Sequence, residues 1–232
     1  MMKTRVIAVS LYAAVLFFPL AAAGQDLSRY RDVPFGSTVA SVIAVTRTSA
    51  DAVKALHQRP SLIQELQWRP QYALGRAPGG VDPAQQVTLR FYDDQLFSIT
   101  VVYEARLVQG LTNEDLIEGV SAVYGPATLT AAASKGPVPA PPGAINASTA
   151  IASWQSADYR FTLMREVYPA TFRLIGVSKG LEPLARAAET EAARLDKEEA
   201  PRREAERALA EAQRRTAAED TTRATNKSEF RP

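Results

Sequence analysis

The aromatic residues of this chain stop almost completely at one point, and that limits where a core can form. Beyond Ala23 there are 15 Phe, Tyr and Trp residues, of which 14 lie before Gly180 and only Phe230 after it. From Gly180 onward the chain instead carries 23 charged residues. Aromatic side chains dominate core energetics because each buries roughly 150–250 Å². A folded body ending near Lys179, followed by a charged tail, is the organisation this shift implies. No cysteine is present, so packing alone must hold the body together, which is feasible at about 150 residues. Thiol catalysis, dithiol redox motifs and cysteine-based zinc sites are excluded as well.

The first residues have the order of a secretory signal peptide. Lys3 and Arg5 precede an apolar run over 6–20, and Ala21, Ala22 and Ala23 supply small residues for cleavage. The run contains Pro19 and is shorter than the roughly 20 apolar residues a spanning helix needs, so cleavage near Ala23 is expected rather than a retained anchor. The formal charge of +2 falls to zero when Lys3 and Arg5 are removed. A neutral chain without a basic cluster gives no electrostatic footprint for nucleic acid. The expectation is an exported protein, periplasmic or secreted, with no stable membrane insertion after cleavage.

Within the body (24–179) two units of similar order can be read, at about 30–105 and 110–179. In the first, Gly36 and Ser37 lead into Val39, Val42, Ile43 and Val45 at helical spacing, with Ser37 or Thr38 as the cap. Extended runs follow at 53–57 and 62–68, the second with a period of two. After a Pro/Gly-rich loop over 70–83, the β-rich runs 87–92 and 96–103, joined by Asp93-Asp94-Gln95, predict a hairpin. In the second unit Thr112 caps a helix whose apolar face is Leu116, Ile117, Val120, Val123 and Tyr124, ended by Gly125-Pro126. A proline-rich loop over 131–146 and strands at 149–154, 159–165 and 171–178 complete it. Trp68 and Trp154 each close the first firm strand after the helix. The fold class is therefore α+β, two helix-plus-antiparallel-strand units whose sheet is covered by helices.

The tail opens with Pro183 in a first helical turn. Leu181, Leu184, Ala185, Ala188, Ala192 and Leu195 form a narrow apolar stripe suited to packing on the body. Pairs such as Glu199–Arg203 and Glu211–Arg215 support a solvated helix over 180–215. Pro201 is expected to kink or restart it, sustained a/d heptads are missing, and 216–232 reads as disordered.

Catalytic and metal chemistry finds few residues to work with. His57 is the only histidine, and no Gly-x-Ser-x-Gly elbow marks a serine for it. Asp93-Asp94 and Asn113-Glu114-Asp115 are too short for a calcium loop and read as a turn and a helix start. Phosphate-loop and dinucleotide-binding motifs are absent. No catalytic, metal or cofactor-binding residue is assigned and no cofactor is expected. Two groups of residues suit an interface: Tyr30 and Arg31 just after the signal, and Arg59, Trp68 and Arg69 near the ends of two neighbouring strands. Tyr30 and Phe35 can equally pin the N-terminal segment to the core.

The order of elements over about 30–179 resembles the tandem helix-plus-sheet units of exported bacterial proteins such as β-lactamase inhibitory protein and the small outer-membrane assembly lipoproteins. The stretches 110–118, 199–205 and Phe230-Arg231-Pro232 are similar to a family of uncharacterised bacterial exported proteins. The resemblance implies binding of another exported or envelope protein through the sheet face, although the lipid-bearing and disulfide cysteines are missing here. A non-catalytic interaction or assembly module is the reading that results. A periplasmic hydrolase using dispersed carboxylates or His57, and a small-ligand binder using the concave sheet face, are the alternatives.

Overall fold

The structure, a computed structural model, describes residues 26–70, 82–131, 133, 148–166, 171–229 and 231. The expected signal peptide and most of the two expected loops, 70–83 and 131–146, lie outside the described residues. What is described is an α+β architecture with a two-stranded and an eight-stranded antiparallel sheet and a long C-terminal helix, about 44% helix and 34% strand.

The N-terminal segment forms a small hairpin, β1 (Arg29–Tyr30) and β2 (Val33–Pro34). Helix α1 (Val39–Thr46) follows, with the Thr38 side chain accepting from the Ser41 amide. After a single 3-10 turn, Ala50–Ala52, come β3 (Val53–His57), β4 (Ile63–Trp68), β5 (Ala84–Tyr92) and β6 (Gln95–Tyr103). A short helix α2 (Ala105–Val108) leads to α3 (Asn113–Tyr124). Four more strands follow: β7 (Thr128–Leu129), β8 (Ser148–Gln155), β9 (Tyr159–Glu166) and β10 (Thr171–Ser178). Helix α4 (Leu181–Glu229) is the last described element.

The strand order β3-β4-β5-β6-β10-β9-β8-β7 gives the repeat a physical meaning. Each unit is a helix followed by a four-stranded meander, and the last strands of the two meanders pair antiparallel, Val101 opposite Leu174 and Ile99 opposite Gly176. Joining two units at their final strands makes one continuous sheet and hides two edges that would otherwise offer unpaired backbone. The helix entries match too. Gly36 and Gly110 both take positive φ two residues before the capping threonines. Thr112 goes further, forming a reciprocal capping box with Asp115.

Side-chain alternation divides the sheet into two faces. Leu66, Leu89, Ile99, Leu163 and Trp154 point to one face and form the main core with Val42 of α1 and Leu116, Val120 and Tyr124 of α3. Phe35 from the N-terminal segment joins this core, its ring stacked on Tyr159 at 5.2 Å. On the opposite face α4 lays Leu181, Ala185 and Ala188 against Ile63, Tyr92 and Phe97. The apolar stripe expected in the tail thus packs on the body, with alanine allowing close approach. Leu184 is the exception, 51% exposed. Elsewhere on this face Thr100, Val102, Thr162, Met164 and Ile175 are half-buried.

The tail departs from expectation at two points. Helix α4 does not restart at Pro201 but continues through it, the missing N–H removing one hydrogen bond from a helix with many others on either side. It also runs on through residues 216–229, where disorder was expected. Alanine, glutamate and arginine are intrinsically strong helix formers, and Thr216, Thr221 and Thr222 return their hydroxyls to the carbonyls four residues back.

Candidate functional site

The five residues singled out as an interaction surface do not form one patch. Arg59 and Trp68 lie at opposite ends of β4, because β3 and β4 pair antiparallel with His57 opposite Ile63 and Val53 opposite Leu66. At ~3.3 Å per residue that separation is close to 20 Å. Being near the ends of neighbouring strands does not bring residues together when the ends are opposite ones.

Tyr30, Arg31 and Trp68 do meet. Tyr30 is buried, and Arg31 turns back over it in a positive-φ conformation, its guanidinium 5.0 Å from the Tyr30 ring and 5.9 Å from the Trp68 ring. Two parallel hydrogen bonds, 2.7 and 2.8 Å, join that guanidinium to the Asp82 carboxylate. The Ala84 amide donates to the same carboxylate at 2.9 Å. Sequence reasoning missed Asp82, which sits in a Pro/Gly-rich stretch with no periodicity to mark it. Tyr103 and Tyr124 complete the surroundings. Desolvation raises the Tyr30 and Tyr124 phenols above their usual range and Tyr103 to about 12, partly opposed by the Arg31 charge. All three therefore act as neutral hydrogen-bonding groups at physiological pH, and Tyr124 already donates to the Arg29 carbonyl at 3.2 Å.

Arg59 belongs to the attachment of α4. It donates to Glu199 at 2.7 Å, and Arg203 donates to both Glu199 (3.0 Å) and Asp196 (2.8 Å). Hydrogen bonds from Arg59 and Arg203 hold the Glu199 carboxyl down at about 2. Arg160 to Glu182 at 3.0 Å and Arg90 to Glu189 add ion pairs nearer the helix start. Beyond Arg203 every residue through 229 is exposed. Arg69 is exposed at the end of β4.

Asp93, Asp94 and Asp115, weighed for chemistry, have structural partners. Asp93 accepts from the Leu62 amide and Asp94 from the Val39 amide, each at 2.8 Å, so the two hairpin acids brace the β3–β4 turn and the start of α1. Asp115 is held by its capping box. His57 lines a small cavity under α4 with Asp196 and Arg203 but no hydroxyl side chain. Among the described residues no group of three or more His, Cys, Asp or Glu is placed to hold a metal ion, and no helix is long and apolar enough to cross a membrane.

Compared with known proteins, the chain matches no family model, no curated protein and no solved structure.

Proposed function

We infer that the protein is a non-catalytic interaction module acting after export, presenting α4 as a recognition arm from a rigid α+β body. The observation that carries this reading is the run of 26 consecutive exposed residues at 204–229. At 1.5 Å per residue it reaches roughly 39 Å beyond its attachment. A helix that is polar all round gains nothing from burial. Ion pairs such as Arg202–Glu206 and Glu211–Arg215 each contribute only a few tenths of a kcal/mol. Residues 204–229 are all exposed among the described residues, yet the helix is tied at its base by a network of ion pairs. Leu209, 62% exposed, is the one large apolar side chain on it, and burying it is where a partner of mixed charge would gain apolar area.

The test places a photo-crosslinking amino acid at Leu209 in the full chain in its native host. The expected result is one discrete adduct that is missing when the same residue is placed at exposed Lys54. No adduct, or the same adducts from both positions, overturns the arm as the recognition element. Intact mass of the protein from the envelope fraction tests export, with loss of about the first 23 residues expected.

A further inference from the structure

The main core does not close completely. Between the β1–β2 hairpin, α2, α3 and the middle of the large sheet lies a cavity of about 430 Å³, within the range of sites for small molecules. Its walls are apolar: Leu107 and Leu111 from α2 and the turn after it, Val120 and Val123 from α3, and Leu174 from β10. Three of these are also among the most exposed large apolar side chains of the described residues, Val123 reaching 69%. They rim the opening.

Two further features show that the space is not simply imperfect packing. The first is Gly119, in the middle of α3 and lining the cavity. Glycine is the poorest helix former after proline, and a Cβ built at Gly119 meets nothing within 4 Å. No clash inside the molecule requires a glycine there; its effect is to leave the opening clear. The second is the polar end. Tyr30 and Tyr103 line the cavity, have no hydrogen-bond partner among the described residues, and are not among the sealed-off unsatisfied polar atoms. Buried phenols ordinarily find a partner, and here a bound acceptor would supply one. Charge narrows the choice. Arg31 lines the cavity but its guanidinium is already engaged by Asp82, and the other charged residue at the wall is the carboxylate Asp115. A committed guanidinium beside a carboxylate does not favour an anion.

We propose that this cavity is a binding site for a small neutral molecule with an apolar body and a hydrogen-bond acceptor at one end, the acceptor meeting the Tyr30 and Tyr103 phenols. The site uses different residues from the α4 arm and stands independently of the function inferred above.

Prodan, a neutral naphthalene carrying a ketone, is a suitable probe, titrated into the full chain and followed by its emission shift. Saturable binding at one site per chain is expected. Gly119→Leu fills the opening, so it should abolish the emission change while leaving the melting temperature equal or higher, which separates a blocked site from a damaged fold. Tyr103→Phe should weaken binding about threefold to tenfold, the loss of one hydrogen bond. Methyl decanoate should displace prodan at least tenfold better than decanoate. Lack of saturable binding, or unchanged binding by Gly119→Leu, overturns the site; equal displacement by decanoate overturns the neutral class of ligand.

Discussion

Arg31 grips Asp82 through two parallel hydrogen bonds across 51 residues of sequence, and the two partners differ sharply in their access to water. The Asp82 side chain is fully buried whereas that of Arg31 is 33% exposed. The pair should therefore respond unequally to mutation. Arg31→Met takes two charge-assisted hydrogen bonds from a buried carboxylate, at about 1.5–3 kcal/mol each. Asp82→Asn keeps an acceptor for the Ala84 amide and leaves a guanidinium that can turn to solvent, for a cost nearer about 1–3 kcal/mol. Urea denaturation of both variants checks the order; equal losses would show that the asymmetry of burial does not govern the pair.

The buried phenols predict a loss of stability in alkali. In the folded chain desolvation raises Tyr103 from 10.0 to about 12 and pushes Tyr30 and Tyr124 higher still. The folded state therefore keeps protons that the unfolded chain releases above pH 10. This contribution is intact below pH 10 and is lost as the pH rises towards 12. Each such group adds a slope of about 1.4 kcal/mol per pH unit in that window. Tyr103→Phe should flatten the decline by about that much, measured by denaturant unfolding at several alkaline pH values. The phenolate absorbance of the folded protein should lag that of the unfolded chain.

The attachment of α4 can be separated from its arm by two truncations. Ending the chain after Arg203 removes a stretch in which 204–229 are all exposed and should change the stability of the body by less than about 0.5 kcal/mol. Ending it after Lys179 strips Leu181, Ala185 and Ala188 from Ile63 and Phe97, which are otherwise almost fully buried. Exposing two such side chains should cost roughly 3–6 kcal/mol at about 1.5–3 kcal/mol each and promote association through the uncovered face. Thermal melting and light scattering of the two forms test this. A body equally stable in both would mean that the helix contributes nothing to it.

What could be read in the sequence was local. The hairpin was legible as β-rich runs at 87–92 and 96–103 around Asp93-Asp94-Gln95; the strands extend further, over 84–92 and 95–103, leaving a two-residue turn in which Asp93 and Asp94 both take the positive φ it requires. Thr112 and the buried positions Leu116, Val120 and Tyr124 of α3 were legible because a capping residue followed by a 3.6 period marks a helix start and little else. Val123, read onto the same face, is 69% exposed, because it projects to the side of the helix that the sheet does not cover. The tandem order of elements was legible, but not the pairing of β6 with β10 that fuses the units, since register between distant strands leaves no mark in either one. The four-residue α2 and the two-residue β1, β2 and β7 are too short for any periodicity to show. At the candidate surface, aromatic and arginine content picked out Tyr30, Arg31 and Trp68, whereas Asp82 is recognisable only once the chain has brought it beneath Arg31. Arg59 groups with Trp68 in the sequence because both lie near the ends of neighbouring strands, and the direction of β4 puts the two at its opposite ends.

The tightest packing in the sheet gives the sharpest prediction. Gly176 on β10 stands opposite Phe161 on β9, and a Cβ placed at Gly176 would lie 2.4 Å from a ring carbon of Phe161. The ring covers the glycine and has little freedom to withdraw, because it stacks on Tyr124 at 4.4 Å and sits 5.9 Å from Phe35. A single added methyl must therefore displace a cluster that joins β9, α3 and the N-terminal segment. Gly176→Ala should destabilise the protein by about 1–3 kcal/mol, as overpacking in a filled core does, despite alanine being the less entropically costly residue. Phe161→Leu alone should also destabilise, through lost aromatic packing. Combined with Gly176→Ala it should cost less than the sum of the two single changes, because the smaller side chain makes room for the methyl. A double-mutant cycle by denaturant unfolding measures this coupling directly, and strict additivity would mean that Phe161 is not what excludes a side chain at position 176.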